Sequence, residues 1–374
     1  MNILITGGCG FIGSSLSKKL VSEGATVTVL DSFSPQIHGE TPETSPLLLS
    51  VPPDVRILRG DVRSRDLIIE ALRGQDVVVH LAAETGTGQS MYEIDKYVDV
   101  NIRGTSVLLD VLEKERLGVK RVVVASSRAI YGEGRYQGDN GYVYPGVRSV
   151  VDLDNGIFEC RCPESGKFIE SIPTDENSKI HPTSIYGITK QVQEQLILTA
   201  CKSIGIGAVS LRYQNVYGPG QSLKNPYTGI LSIFSTLLLQ GENVNVFEDG
   251  NESRDFVYID DVVEATFRAI NSGISGEAYN VGSGVGTSVL TVAETLKQLY
   301  GSPSKINVSG NYRIGDIRHN TADLTKVARD LGFSPLIDFH EGVTSFAEWV
   351  KNQEVEKSSY EKSIQELRER GMFK

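Results

Sequence analysis

The fold is decided by the stretch Asn2-Ile3-Leu4-Ile5-Thr6-Gly7-Gly8-Cys9-Gly10-Phe11-Ile12-Gly13, because three spaced glycines follow directly on a short apolar run. The apolar run is typical of a buried strand, and the residues after the glycines have helical spacing. Gly7 permits a tight turn, Gly10 lets the backbone approach a pyrophosphate, and Gly13 lets the helix pack closely on the strand. A GxxGxxG triplet alone could be only a turn. Its position between strand and helix predicts a dinucleotide phosphate site at the helix N-terminus.

Strand-like and helix-like segments alternate from there through the first half of the chain. The candidate strands are Asn2–Thr6, Thr26–Leu30, Val55–Leu58, Val77–His80, Arg121–Ala125 and Ala208–Leu211. The candidate helices are Ile12–Glu23, Asp66–Leu72, Val100–Glu115 and Tyr186–Ser203. This alternation predicts an α/β fold with a Rossmann-like, doubly wound parallel sheet. We expect a dinucleotide-binding domain over residues 1–212 and a smaller C-terminal α/β domain for substrate over 213–374, with some segments returning to the first domain.

Three stretches depart from this rhythm. Residues 32–53 are rich in Pro, Ser and Thr and predict a surface loop. Residues 133–176 have many Gly and Tyr residues and no clear period, which indicates an insertion and a candidate substrate lid. Residues 354–370 are rich in charge and predict a solvated helix docked by a few apolar residues.

The composition limits the partners. The 374 residues carry a formal net charge of −10, which disfavours nucleic acid and anionic membrane surfaces. No apolar run approaches the ~18 residues of a membrane span. With four cysteines and Met1 directly before a strand, we predict a soluble cytoplasmic protein without a signal peptide. Cys160, Cys162 and His181 are too few for a structural zinc site, which takes four ligands, so no metal is predicted.

Asp31 ends the second strand, where an acid accepts hydrogen bonds from a ribose 2′-hydroxyl. It would repel a 2′-phosphate, and no Arg or Lys follows nearby to neutralise it. This favours NAD over NADP, with a turn-forming aspartate as the alternative. Asp61 and Val62, just after the third strand, are candidates for contact with an adenine edge.

Tyr186 and Lys190 form a YxxxK pair, which places both side chains on one face of a helix. A free phenol with a pKa near ~10 is a poor base at neutral pH, and a nearby ammonium would stabilise its phenolate. Such a pair is common by chance, and a surface tyrosine beside a solvated lysine is the alternative. Ser127, however, ends a buried strand, where it could hydrogen-bond a substrate hydroxyl. His80 also ends a strand and is interpreted as a structural histidine.

These residues together resemble the extended short-chain dehydrogenase/reductase superfamily, specifically its NAD-dependent sugar-nucleotide epimerases and dehydratases. The resemblance runs from Met1 to about Trp349, with residues 133–173 partly insertion. The matching motifs are Gly7-x-x-Gly10-x-x-Gly13, His80-Leu81-Ala82-Ala83, Asn101-x-x-Gly104-Thr105, Ser126-Ser127, Tyr131-Gly132, Tyr186-x-x-x-Lys190, Leu211-Arg212-x-x-Asn215-Val216-Tyr217-Gly218-Pro219, Arg254-Asp255-x-x-x-x-Asp260-Asp261 and Arg313-x-Gly315-Asp316.

The resemblance implies three sets of site residues. In the catalytic set, Ser127 and Tyr186 contact the sugar 4-hydroxyl with Tyr186 as base, and Lys190 holds the nicotinamide ribose and tunes Tyr186. The NAD-binding set is Gly7, Gly10, Phe11, Ile12, Gly13, Asp31, Asp61, Val62, Leu81, Ala82, Ala83, Asn101, Tyr186 and Lys190. The substrate-binding set is Thr85, Ser127, Arg128, Asn215, Arg254, Arg313 and Asp316. Within this set Asn215, Arg254 and Arg313 serve the diphosphate, and Arg128 lies beside the sugar.

The resemblance also narrows the reaction. Loss of the 4-hydroxyl proton to Tyr186, with hydride passing to NAD⁺, would give a 4-keto sugar. Dehydratases of the family carry Asp-Glu where this chain has Arg128-Ala129, and neither of these can run the elimination. Reductases of the family usually prefer NADPH, which Asp31 disfavours. The sequence therefore predicts an NAD-dependent sugar-nucleotide 4-epimerase.

The sequence restricts the identity of the sugar nucleotide less than it restricts the reaction. Residues 126–134, followed by the cysteine-containing insertion, resemble the dTDP-L-rhamnose 4-epimerases of polysaccharide biosynthesis, which interconvert dTDP-L-rhamnose and dTDP-6-deoxy-L-talose. A UDP-glucose/galactose-type 4-epimerase is an equal alternative, and a reductase or dehydratase is a weaker one. A non-catalytic dinucleotide-binding sensor or scaffold is the alternative of a different class. The family also implies a homodimer that pairs helices around 101–114 and 186–203, whereas internal packing of those helices is the simpler interpretation.

Overall fold

A seven-stranded parallel sheet forms the centre of the molecule. The structure, a computed structural model, describes residues 1–223, 225, 229–353 and 360–374. From edge to edge the strands are Glu277–Val281, Gly207–Tyr213, Arg121–Ser127, Val77–His80, Asn2–Thr6, Thr26–Asp31 and Arg56–Arg59. The strand order reverses between Asn2–Thr6 and Val77–His80, so a crevice opens there at the carboxyl ends of the strands. The predicted doubly wound parallel sheet is confirmed.

Helices cover both faces of this sheet. The α-helices are Phe11–Ser22, Pro35–His38, Pro46–Leu49, Arg65–Leu72, Thr87–Ser90, Ile94–Tyr97, Gly104–Glu115, Val150–Asp154, Ile185–Ile204, Ile230–Leu239, Ile259–Asn271, Val289–Tyr300, Thr325–Leu331, Phe339–Lys351 and Tyr360–Glu369. In the first strand, Leu4 belongs to one apolar core, whereas Ile3 and Ile5 belong to the other. Alternate side chains of a strand face opposite sides, and here both sides are apolar because both are covered.

Three smaller sheets complete the structure. One consists of Asn215–Tyr217, Ser253–Tyr258, Gly286–Ser288 and His319–Asn320, one of Val244–Val246 and Ile306–Val308, and one of Tyr136–Gly138, Gly141–Val143 and Glu170–Ser171. The last of these lies within the predicted insertion. Glu277–Val281 comes from the second half of the chain and pairs with Gly207–Tyr213 in the large sheet. The domain boundary at residue 212 stays a prediction.

Some elements differ from the sequence-based expectation. Residues 32–53 contain two short α-helices and the 3₁₀ turn Pro42–Thr44, because proline at the first helical position already has a helical φ. The helix expected from residue 100 begins as a π-helix, Val98–Arg103. The predicted C-terminal helix is present as Tyr360–Glu369, while residues 354–359 lie outside the described residues. No helix in the described ranges combines the length and apolar character that crossing a bilayer requires.

Candidate active site

A cavity of about 640 Å³ opens at the carboxyl ends of the central strands. Every residue predicted to bind NAD, except Asn101, lines it: Gly7, Gly10, Phe11, Ile12, Gly13, Asp31, Asp61, Val62, Leu81, Ala82, Ala83, Tyr186 and Lys190. Thr85 and Ser127, predicted to bind substrate, also lie on its wall. The fold therefore brings these residues to one place from widely separated parts of the chain.

The glycine turn explains how the backbone can approach a ligand. Gly7 has φ +69°, and a Cβ there would lie 2.9 Å from the backbone of Ala82. A Cβ at Gly13 would lie 2.5 Å from the Cα of Gly8, so the helix could not sit this close to the turn. At Gly10 a Cβ would meet only the carbonyl oxygen of Gly7, at 3.3 Å. The turn is tight on the protein side and open at Gly10, which fits a pyrophosphate at the helix N-terminus.

Asp31 is held rigidly at the far end of this cavity. Its carboxylate accepts hydrogen bonds from the backbone N–H groups of Cys9 and Phe33, each at 2.9 Å. His38 Nε2 lies 3.8 Å away, but burial lowers the pKa of His38, against the opposing charge of Asp31. His38 therefore brings no positive charge toward a 2′-phosphate at neutral pH. Arg63 lines the cavity too, but its guanidinium is paired with Asp61, at 2.6 Å, and with Asp99.

Tyr186 lies in the first turn of the helix Ile185–Ile204. Ser184 caps this helix by accepting a hydrogen bond from the Gly187 N–H at 3.1 Å, and the Tyr186 N–H donates to Ser90 Oγ at 3.0 Å. Burial raises the pKa of the Tyr186 phenol, while a hydrogen bond with Ser127 and the charge of Arg128 act to lower it. The two groups that stabilise the phenolate are therefore the side chains of Ser127 and Arg128.

Lys190 is 2% exposed and donates a hydrogen bond to Gln193 Oε1 at 2.6 Å. Burial lowers its pKa to about 7, against the opposing charge of Glu194. His80 is bonded on both ring nitrogens, to Thr6 Oγ1 at 2.8 Å and to Thr105 Oγ1 at 3.0 Å. Burial and the charge of Lys190 lower the pKa of His80 to about 3, so it stays neutral and structural.

A smaller cavity of about 60 Å³ contains the predicted substrate residues Arg128, Arg313 and Asp316. Ser184 and Thr183, which precede Tyr186, line the same cavity. The two cavities therefore approach each other at Ser127–Arg128 and at the start of the Tyr186 helix.

Asn215 and Arg254 lie behind the small cavity. Asn215 Oδ1 accepts a hydrogen bond from Arg128 Nε at 2.9 Å. Arg254 donates to Asp316 Oδ1 at 3.3 Å and to the carbonyl of Ile317 at 2.7 Å. Asn215 therefore positions Arg128, and Arg254 positions Asp316. Arg128 and Asp316 in turn line the small cavity.

Positive charge predominates around the small cavity. Burial and the charge of Arg254 lower the pKa of Arg128 to about 10, which still leaves it charged at neutral pH. Burial alone would raise the pKa of Asp316, but nearby arginines, led by Arg254 and Arg313, lower it overall. Several arginines against one aspartate suit a ligand that carries a diphosphate.

Asn101 does not lie on the cavity wall. It is fully buried in the π-helix, accepts from the Glu84 N–H at 2.7 Å, and donates to the Glu84 carbonyl at 3.1 Å and to Thr189 Oγ1 at 2.9 Å. It therefore ties the loop after strand Val77–His80 to the Tyr186 helix from behind. The sequence predicts that Asn101 contacts the cofactor directly, whereas in the structure its side chain does not line the large cavity.

Sequence reasoning missed two parts of the site. Gln193 holds the Lys190 amine and also donates to Thr105 Oγ1 at 2.8 Å. Its spacing of three from Lys190 was the available signal, because such residues share a helix face. Leu367 and Met372, near the C-terminus, line the small cavity. Two apolar residues, Met372 and Phe373, follow the charged helix, which indicates that this segment packs against the protein. The sequence does not indicate which part of the protein it packs against.

The insertion, residues 133–176, lies behind the loop of residues 312–317 that carries Arg313 and Asp316. None of the residues that line the two cavities belongs to positions 133–176. Arg148 pairs with Glu248 at 2.7 Å and donates to the Asp316 carbonyl at 2.9 Å. Cys160 and Cys162 are buried in a small apolar cluster, and in the described part of the chain no three His, Cys, Asp or Glu side chains assemble as metal ligands.

Comparison with known proteins agrees with this geometry. The model of the NAD dependent epimerase/dehydratase family matches residues 3–145 and 162–282. A dTDP-L-rhamnose 4-epimerase of Burkholderia thailandensis is 35% identical over 94% of this chain and 95% of its own length. A putative UDP-glucose 4-epimerase of Methanocaldococcus jannaschii is 31% identical over 94% of this chain and 98% of its own length.

A solved structure shows the same likeness in three dimensions. The UDP-glucose 4-epimerase of Thermotoga maritima, with UDP-glucose, superimposes with a TM-score of 0.76 at 30% identity, covering 94% of this chain and 99% of that one. The family match spans most of the chain and includes the glycine turn, Ser127, Tyr186 and Lys190. The chain belongs to the NAD dependent epimerase/dehydratase family.

Proposed function

We propose that this protein is an NAD-dependent sugar-nucleotide 4-epimerase that interconverts dTDP-L-rhamnose and dTDP-6-deoxy-L-talose. The observation that carries the proposal is the meeting of the two cavities at Tyr186, Ser127 and Arg128. On one side lies a dinucleotide-sized cavity with a glycine turn, and on the other lies a small cavity with arginine side chains. A base between a cofactor site and a diphosphate site is the arrangement that such an epimerisation needs.

The residues of the larger cavity fit NAD. The turn at Gly7–Gly13 would hold the pyrophosphate, Asp31 the adenosine ribose, and Lys190 the nicotinamide ribose. When bound, the nicotinamide group supplies an acceptor, and later a donor, for the hydride of the sugar carbon. The paired Arg63 and the neutral His38 leave Asp31 as the dominant charge near the ribose, which supports NAD rather than NADP.

Tyr186 is the proposed base for the sugar 4-hydroxyl. Its phenol is buried, so deprotonation needs local positive charge, and Arg128 provides that charge at the small cavity. Ser127 bonds the phenol and can hold the same hydroxyl during proton transfer. Once the keto sugar has rotated and its C4 has taken the hydride back on the opposite face, Tyr186 returns the proton to the 4-oxygen.

Elimination of water is disfavoured at this site. A 4,6-dehydratase needs a second acid/base pair beside the base, and the positions after Ser127 hold Arg128 and Ala129. Arg128 is engaged by Asn215 and stays charged at neutral pH, so it neither gives nor takes a proton. The likeness to the Burkholderia thailandensis 4-epimerase supports the deoxysugar substrate. A UDP-glucose 4-epimerase is the second candidate, favoured by the Thermotoga maritima structure.

The test is incubation of the purified protein with dTDP-L-rhamnose, UDP-glucose or UDP-galactose without added cofactor, followed by product NMR. We expect dTDP-6-deoxy-L-talose from the first substrate and slower or no change in the others. Turnover of the UDP-hexoses alone would favour the second candidate. A requirement for stoichiometric NADPH, with release of a reduced or keto sugar, would overturn epimerisation.

Tyr186→Phe tests the base directly. Because the phenol oxygen is the proposed proton acceptor, we expect kcat to fall by at least about 10²-fold, the usual contribution of a positioned acid/base group. NAD content, measured by absorbance of the denatured protein, should be unchanged. A variant that retains the wild-type rate would remove Tyr186 from the mechanism.

A further inference from the structure

The C-terminal segment, residues 360–374, is bound along the substrate loop, residues 312–317. The Tyr312 N–H donates to the Lys374 carbonyl at 2.8 Å, and the Lys374 N–H donates back to Tyr312 at 3.1 Å. The Ile314 N–H donates to the Met372 carbonyl at 3.1 Å. These bonds bracket Arg313, so the end of the chain fixes the backbone from which this arginine projects.

Side chains of the segment also reach Arg313. The Tyr360 phenol lies within the electrostatic reach of Arg313, whose positive charge lowers the pKa that burial raises, and Tyr360 is 9% exposed. The ring of Phe373 packs edge-on against Phe247, with centroids 5.0 Å apart. The Arg313 guanidinium lies over the same Phe247 ring, 5.0 Å from its centroid. Residues near the C-terminus therefore surround Arg313, Tyr360 from beside the guanidinium and Phe373 through the ring of Phe247.

Arg313 keeps a free donor while it is held. Its Nε is buried and has no hydrogen-bond partner among the residues that the structure describes. A buried donor without a partner is costly, and a phosphate oxygen is the partner that an arginine in a cationic cavity suits best. Leu367 and Met372 line that cavity together with Arg313 and Asp316. Its volume of about 60 Å³ holds only a few water molecules.

We propose that the C-terminal segment is part of the substrate site, with Tyr360 and Phe373 as positioning residues that aim Arg313 at the diphosphate of the sugar nucleotide. The proposal rests on the proposed function only for the kind of ligand. The segment acts on nucleotide binding and not on proton transfer at Tyr186.

Tyr360→Phe is the sharpest test, because it removes one hydroxyl and keeps the buried ring. The loss of the hydroxyl beside Arg313 should weaken binding of dTDP and UDP about fivefold in calorimetric titrations of the protein. KM for the turned-over sugar nucleotide should rise by a similar factor, with kcat within about twofold. Gln365→Ala is the matched control, since this exposed side chain of the same helix bonds to Glu369 and lines neither cavity among the described residues.

A second variant, Phe373→Ala, should weaken nucleotide binding further, because the backbone pairing with residues 312–314 loses its apolar anchor. Thermal melting and NAD content show that each variant is folded. Unchanged or tighter binding of dTDP and UDP in both variants would overturn the proposal, and tighter binding would show that the segment only obstructs the cavity. Weaker nucleotide binding in a protein that epimerises no sugar nucleotide would reject the proposed function and keep this inference.

Discussion

At the scale of the single residue, Lys190 couples the site to pH. Burial lowers its pKa from an ordinary 10.5 to about 7, so between these values the unfolded chain binds a proton that the folded chain does not. The contribution of Lys190 to the unfolding free energy of the cofactor-free protein is therefore lowest below pH 7. It rises as the pH increases toward 10.5. Relative to Lys190→Met, we expect the wild-type unfolding free energy to gain on the order of 2 kcal/mol between pH 7 and 9.

Urea unfolding of both proteins at several pH values measures this difference. The comparison removes the contribution of groups that titrate in both chains. A constant difference across pH 7–9 would mean that the Lys190 amine is protonated in the folded protein, with the charge of Glu194 compensating its own.

At the scale of the element, a buried arginine directly after the substrate loop anchors the insertion. The Arg318 side chain is 0% exposed and pairs with Glu159 of the insertion at 2.5 Å and with Asp249 at 2.7 Å. Arg318→Met removes this cation from both carboxylates, although Glu159 keeps His319 at 3.2 Å and both carboxylates are more than one-third exposed and can rehydrate. We expect a loss of about 3 kcal/mol in chemical unfolding, the low end for a broken buried pair.

The insertion offers its own control for this prediction. Lys167 pairs with Asp139 at 2.7 Å, but both side chains are more than 60% exposed. Lys167→Ala should therefore change stability by less than about 0.5 kcal/mol. Equal effects of the two substitutions would show that the Arg318 cluster does not anchor the insertion.

At the scale of the whole molecule, apolar side chains stay exposed beside the Tyr186 helix. Ile94, Val98 and Ile188 are 48%, 40% and 42% exposed, and they lie on elements that pack against one another. Exposed apolar groups of this kind fit the predicted homodimer through the helices Gly104–Glu115 and Ile185–Ile204. We expect light scattering to give twice the mass of the chain, and the double variant Val98→Glu, Ile188→Glu to give the single mass.

Leu336→Glu is the control, because Leu336 is 81% exposed and belongs to a different part of the chain. It should leave the mass unchanged. A wild-type protein that runs at the single mass across micromolar concentrations would reject the dimer.

Much of the fold and part of the site could be predicted from local patterns. Strand period, glycine spacing and the YxxxK pair act over a few residues, so the central sheet, the phosphate turn and the Tyr186 helix were accessible from the chain alone. Boundaries shifted by one or two residues, as at Arg56–Arg59, because end residues depend on neighbouring strands. Asn101 was assigned to the cofactor because its motif carries no information about which way the side chain faces.

Short segments of the chain are enough to specify the α/β sheet, the cofactor turn and the resemblance to the family. Those features reside in short segments whose periodicity and steric demands do not depend on distant residues. Three contacts follow from the packing of the folded chain. Gln193 accepts a hydrogen bond from Lys190, the insertion packs behind Asp316, and residues 360–374 bond to the backbone on either side of Arg313. These contacts join positions far apart in the chain or depend on side-chain direction, and burial and charge pairing select them only after the backbone has folded.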